Sequence, residues 1–154
     1  MIAVLQRVEN ASVVSDGVPT GKIGAGLMIL LGVLGGDGEE DARLLAEKIA
    51  KLRIFTDEAD KMNLSVLDIG GGALVVSNFT LAANYAHGNR PDYMNAAPPA
   101  VAEPLYQRFV SLLTERIGEV ATGRFGADMK ITMTADGPVT SVMDSALLKK
   151  GGRK

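Results

Sequence analysis

Ile23-Gly24-Ala25-Gly26-Leu27-Met28-Ile29-Leu30-Leu31-Gly32-Val33 carries no polar side chain, and whether it is strand or helix sets the architecture around it. Glycines at 24, 26 and 32 are too many for a comfortable helix, because each costs about 1 kcal/mol in a helix interior. The Ile, Leu and Val between them suit a buried strand, so a central strand is predicted over 23–33. Downstream, Asp37 can serve as an N-cap with Glu40 three positions on. Acids fill the first turn, Leu45, Ile49 and Leu52 recur at helical spacing, and Lys51 and Arg53 lie at the far end. This pattern predicts a helix over 38–52. Upstream, residues 2–7 and 12–15 are short and rich in β-branched side chains, with Glu9-Asn10-Ala11 between them and an Asp16-Gly17 turn signal after them.

The same reading continues toward the C-terminus. Residues 53–55 suggest a brief strand and 57–60 a turn. Gly70-Gly71-Gly72 precedes an apolar strand over 73–79 that delivers Ser77 to Thr80 at its end. Residues 82–99 mix Asn, Gly and Pro without periodicity, and a loop of that length in a compact domain is usually functional or mobile. Val101, Leu105, Phe109, Leu112 and Leu113 mark a second helix ending near Gly118, with Pro104 placing its well-formed part downstream. Residues 120–125, 129–134 and 139–143 read as closing strands. The two helices sit between groups of strands and do not alternate with them, so the expected class is α+β. The expectation is a single domain whose curved or barrel-like sheet is mostly antiparallel and carries two main helices. The domain is read as 1–144, and 145–154 as a disordered basic tail. An auxiliary phosphate contact by that tail is the sharper alternative.

Composition narrows the function. The chain has 154 residues, enough for one core. It contains no cysteine, which excludes disulfides, thiol catalysis and Cys-ligated metals. Its apolar stretches fall short of the ~20 residues that cross a bilayer, and the first residues lack a signal-peptide core. A soluble cytoplasmic protein without a membrane partner is expected. A formal charge of −2 gives no global attraction for nucleic acid, so any RNA contact must be local, and no DNA partner is expected.

Ordinary catalytic constellations are missing from the sequence. The one histidine, His87, stands in the long loop without a Ser-His-Asp arrangement around it. It gives no metal-ligand spacing, and neither metal nor cofactor is expected. What stands out are Ser77-Asn78-Phe79-Thr80-Leu81 and Asp136-Gly137-Pro138-Val139-Thr140. Each sets hydroxyl side chains beside backbone that can be left unpaired. At a strand end, backbone N–H groups leaving the ladder can point at a developing oxyanion. Read locally, the commoner reading of these segments is plain strand termination for the first and an ordinary trans turn for the second.

These two segments resemble the signature motifs of the D-aminoacyl-tRNA deacylase family, whose usual forms are Ser-Gln-Phe-Thr-Leu and Asn-x-Gly-Pro-x-Thr. Residues 1–8, Gly24-Ala25-Gly26-Leu27, Lys61-Met62-Asn63-Leu64, Arg90-Pro91 and the segment 122–129 are similar to family segments in the same order. The resemblance implies a homodimer that hydrolyses the ester joining a D-amino acid, or glycine, to the 3′ end of tRNA. It implies that main-chain N–H groups of Phe79 and Thr80 hold the carbonyl oxygen, with the tRNA's ribose hydroxyl helping to activate water. Thr80 is then a positioning or oxyanion residue first and a nucleophile second. Ser77, Asn78, Gly137, Pro138 and Thr140 would contact substrate. Gly137-Pro138, as a cis pair inserted across subunits, would exclude L-amino acids, and Arg7 would support that loop. The chain departs from the family's pattern in Asn78, where Gln is usual, and in Ala135, where Asn is usual. The alternatives are a non-catalytic RNA-binding module on the same fold and a small hydrolase or deaminase of free metabolites.

Overall fold

One long strand, β1 (Ile2–Ser15), organises the molecule and runs unbroken through Glu9 and Asn10, where the sequence suggests a division. Both residues are exposed on the outside of a bend, and the pairing of β1 with the last strand shifts register between Gln6 and Val8 and again between Val8 and Asn10. Irregularities of this kind bend and twist a strand without ending it. The computed structural model that shows this describes residues 1–151.

The run over 23–33 divides in two. β2 (Val18–Ile23) takes its first residue, Gly24 and Ala25 form the turn, and β3 (Gly26–Gly32) takes the rest up to Val33, which lies just past its end. The elements that follow are α1 (Glu39–Ala50), β4 (Phe55–Thr56), β5 (Met62–Leu64), β6 (Gly72–Ser77), a 3-10 turn (Phe79–Ala82), α2 (Pro99–Ile117), β7 (Val120–Thr122), β8 (Met129–Asp144) and α3 (Ser145–Gly151). The main sheet has the order β2-β1-β3-β6-β7, with β8 on β1, while β4 and β5 form a separate pair. β1 pairs antiparallel with β2, β3 and β8, but β3–β6 and β6–β7 are parallel, so the sheet is mixed. It curls into a nearly closed barrel. Closure brings β2 against β7 so tightly that a Cβ on Gly21 would lie 2.7 Å from the Thr122 carbonyl oxygen.

β3 and β6 are buried on both faces. Leu27, Ile29, Leu31 and Val75 pack under α1 and α2 with Leu45, Ile49 and Phe109, while Met28, Leu74 and Val76 fill the barrel side with Val8, Val13 and Ile23. At about 25 cal/mol per Å² of apolar surface removed from water, this two-sided core is the main source of stability.

Three local expectations are corrected. α1 is capped by Gly38, whose N–H donates to Asp41 Oδ2 at 2.9 Å. Asp37 instead accepts from Leu34 N–H and from the Met1 ammonium, at 2.6 and 2.7 Å. α2 is helical before Pro104 as well as after it, because that proline sits on an exposed face where the lost N–H is tolerated. Residues 145–151, read from sequence as part of a disordered tail, form α3; Ser145 is buried and Lys149 Nζ is 2.9 Å from Asp41 Oδ2. Residues 152–154 lie outside the described part.

Candidate active site

β6 hands the chain to the first signature segment. Asn78 N–H still donates to Leu31 O at 2.8 Å, extending the β3–β6 ladder by one bond, and the 3-10 turn begins at the next residue. Asn78 caps that turn. Its Oδ1 accepts from Thr80 N–H at 3.1 Å and also from the Thr80 hydroxyl. Leu81 N–H reaches back to Asn78 O at 3.4 Å. Phe79 N–H, the first donor of the turn, makes no hydrogen bond among the described residues.

Ser77, Asn78, Phe79 and Thr80 stand together on the rim of a cavity of about 840 Å³. Its wall is apolar, built by Leu30 and Val76 of the central strands, Tyr106 of α2, and Phe125, Met129 and Ile131 of the closing segment. Phe79 is 60% exposed and meets Tyr93 edge-on, with ring centroids 5.2 Å apart. An apolar cavity with a few polar groups at the mouth suits a small organic ligand. Tyr106 carries no sequence signal of its own, since it falls between the core positions of α2, and the family likeness of the 122–129 segment gives that segment no role. Tyr106 Oη donates to Val75 O at 2.8 Å, and burial pushes the phenol up to about 12. It therefore stays protonated at neutral pH and is no general base.

The second segment is built differently. β8 passes Ala135 opposite Val8 and resumes regular pairing with Thr140 opposite Gln6, leaving 136–139 as an outward excursion. Gly137 has φ +125, where a Cβ would lie 2.7 Å from Val139 N, so only glycine fits without strain. The Gly137-Pro138 bond is cis, and both residues are exposed. Arg7 lies behind this excursion, only 8% exposed. Its Nε is 3.0 Å from Asp136 Oδ2 and 3.3 Å from Asp136 O, while Nη1 donates to Ile54 O at 2.7 Å. The guanidinium thus ties the excursion to the strand-entry segment before β4. The Thr140 hydroxyl donates to Gln6 Oε1 at 2.5 Å.

The fold does not bring the two segments together within one chain. Gly137, Pro138 and Thr140 are absent from the cavity lining. The registers place the excursion beside Arg7 and Leu27, and Ser77 beside Leu31 and Ala3. Four residues along β1 and three strand spacings across separate them, roughly 20 Å over the sheet. His87 is exposed in the long loop, and among the described residues no three His, Cys, Asp or Glu side chains are grouped to hold a metal ion. No helix of the described part is long and apolar enough to cross a membrane.

Comparison with known proteins agrees with this architecture. The model of the D-Tyr-tRNA(Tyr) deacylase family matches residues 4–144. A D-aminoacyl-tRNA deacylase of Ruegeria pomeroyi is 58% identical over 144 residues, covering 94% of this chain and 99% of the relative. One from Anaeromyxobacter dehalogenans is 52% identical over 148 residues, covering 96% and 99%. Among solved structures, the c-Myc DNA Unwinding Element Binding Protein superposes with a TM-score of 0.87 at 38% identity, covering 94% of this chain and 98% of its own. A probable eukaryotic D-amino acid tRNA deacylase shares the fold, with a TM-score of 0.81 at 18% identity over 93% of this chain and 98% of its own. The chain belongs to the D-Tyr-tRNA(Tyr) deacylase family.

Proposed function

We propose that this member of the family is an ester hydrolase that cleaves D-aminoacyl-tRNA, releasing the D-amino acid and free tRNA. The observation that carries the reading is the family match across the whole domain, with the Ser77 to Thr80 turn standing on the rim of an apolar cavity. The cavity accepts the terminal nucleoside and the ester lies at its mouth. Water adds to the ester carbonyl, the oxygen gains negative charge, and a main-chain N–H of the turn stabilises it. A single well-placed donor of this kind is worth about 2.7–4 kcal/mol. Phe79 N–H is the donor of the turn left open among the described residues. No side chain at the turn has an activating base beside it, so Thr80 is assigned positioning; the ribose hydroxyl of the substrate helps to activate the water by relaying its proton to the departing ribose oxygen as the ester C–O bond breaks.

Selectivity is assigned to the Gly137-Pro138 excursion acting in the site of a second copy. Two features support this. The excursion is roughly 20 Å along the sheet from the turn of its own chain, and β8 is an edge strand whose Val142 is 71% exposed. A 16-residue edge left unpaired is a template for association. In such a dimer an L-side chain meets main-chain atoms of the excursion, while a D-side chain points away and glycine has none to reject. A cytoplasmic setting follows from the substrate.

The test is release of labelled amino acid from D-tyrosyl-, L-tyrosyl- and glycyl-tRNA, with the mass of the active species read by sedimentation. Cleavage of the D- and glycyl-esters by a dimer, with the L-ester intact, is expected. Failure to cleave any of them rules out the hydrolase reading, and activity of a monomer rules out action across subunits.

A further inference from the structure

Asn78 is one methylene shorter than the usual glutamine, and the structure gives that difference a chemical consequence. An Asn carbonyl reaches the N–H two residues on in a tight ring, the geometry of an Asx turn; a Gln side chain is too long to close the same ring comfortably. Here Asn78 Oδ1 takes both protons that Thr80 can offer, from its N–H at 3.1 Å and from its hydroxyl. The turn lies at the cavity mouth, so a donor committed there is a donor withdrawn from the ligand. Phe79 N–H is left as the one open main-chain donor of the pair. With its proton held by Asn78, the Thr80 hydroxyl turns lone pairs to the site and acts as an acceptor.

We infer that Asn78 is a positioning residue that sets the donor count of the turn: it withholds Thr80 N–H from the developing oxyanion and presents the Thr80 oxygen as an acceptor for water or for a substrate hydroxyl or ammonium group. This rests on the hydrolase reading and deepens it. The chain would run its reaction on a one-donor oxyanion site, slower in the chemical step than the same turn with the cap released. Loss of one oxyanion donor costs about a hundredfold or more in kcat, so regaining one held at imperfect geometry is expected to raise kcat about tenfold. KM should change little, since a ground-state carbonyl gains far less from the extra donor than the oxyanion does.

The experiment compares wild type with Asn78→Gln and Asn78→Ala by two readouts. Amide exchange at Thr80, followed by NMR on the free protein, reports the cap without reference to activity. Steady-state cleavage of D-tyrosyl-tRNA, read as kcat and KM, reports its consequence. The expected result is slower exchange at Thr80 than at Phe79 in wild type, loss of that difference in a variant, and a higher kcat at similar KM in the variant that lost it. An unprotected Thr80 amide in wild type overturns the inference, as does protection that persists in both variants. So does a variant with a released amide and no gain in rate. If every form leaves the ester intact while exchange follows the expected pattern, the hydrolase reading itself fails; cleavage by wild type with no gain on release sinks the Asn78 inference alone.

Discussion

The two signature segments are held in place by opposite means. The turn at 77–81 continues the β3–β6 ladder, and its own Asn78 caps it, so its geometry comes from the buried sheet and from itself. The excursion at 136–140 leaves an exposed edge strand and depends on one distant side chain, Arg7, which is 129 positions away in sequence from the carbonyl it reaches. Local capping costs little to build but also commits the donors it uses. Long-range clamping leaves the main chain of the excursion free on its outer face, at the cost of relying on a single guanidinium.

That difference predicts very unequal sensitivity. Arg7→Ala strips the Asp136 carboxylate and the Ile54 carbonyl of their shared partner. It should lower stability by about 3 kcal/mol and, by letting the excursion move by an ångström or more, reduce D-tyrosyl-tRNA cleavage by about a hundredfold. Arg7→Lys keeps the charge but has no fork to span Asp136 and Ile54 together, so it should recover only part of either loss. Denaturant unfolding and cleavage assays check both. An Arg7→Ala enzyme as stable and active as wild type would show that the excursion is held by something other than this clamp.

A second clamp far from both segments provides the contrast. Asp41 accepts from Ser145 Oγ at 2.6 Å, Lys149 Nζ at 2.9 Å and Gly38 N–H at 2.9 Å, joining α1 to α3. Burial alone would raise its carboxyl; these hydrogen bonds and the Lys149 charge outweigh that and bring it down to about 2. A carboxylate with a depressed value in the folded state stabilises fully above its unfolded value near 3.8 and loses that contribution as pH falls toward 2. Asp41→Asn should therefore cost about 2 kcal/mol at pH 6, with the gap to wild type closing between pH 4 and pH 2. Turnover per folded molecule should be unchanged at pH 6. A drop in turnover there would mean that α3 docking reaches the site, and that stability clamps and site clamps are not separate in this fold.

How much of this was legible in the sequence follows the range of the interactions. α1 was readable because acids, apolar spacing and terminal bases all lie within its own residues or just past its end. The 23–33 run announced burial on both faces, which suits a parallel strand and an antiparallel core strand alike, so the parallel β3–β6–β7 pairing was not readable. Glu9 and Asn10 looked like a break because polar residues outside a bend and polar residues in a turn have the same composition. α3 was missed because Ser145 and Lys149 find their partner over a hundred residues back, in Asp41. At the site the segments themselves were visible as motifs. The Asn78 cap and the depth of Arg7 were not, since both depend on side-chain reach and burial that no spacing encodes.

Gly137→Ala probes the excursion from within. The added Cβ would press on Val139 N at 2.7 Å and approach Arg7 Nη2 at 3.3 Å, in a backbone conformation that alanine adopts only with strain. A loss of about 1–2 kcal/mol in stability is expected, smaller than for Arg7→Ala because the exposed loop can shift. If the excursion governs chirality, the ratio of D- to L-tyrosyl-tRNA cleavage should fall more than D-cleavage itself. A loss of D-cleavage with the L-ester still intact would assign the excursion to general positioning, and the contrast between a donor-bearing turn and a selecting loop would dissolve.

The smallest expected effect lies in the cavity wall. Tyr106 is 5% exposed, and its hydroxyl does one thing in the structure, donating to the main chain of β6 two residues before Ser77. Tyr106→Phe keeps the ring and removes that bond, which is worth about 1 kcal/mol. Because burial keeps the phenol protonated up to about 12, the variant should reproduce the wild-type pH dependence of kcat/KM across the neutral range. A limb of that profile lost in Tyr106→Phe would make the hydroxyl a participant in proton transfer. An unchanged profile with a small uniform drop would instead show that β6 needs this anchor to hold the turn steady, so that even the locally capped segment leans on one contact from outside the sheet.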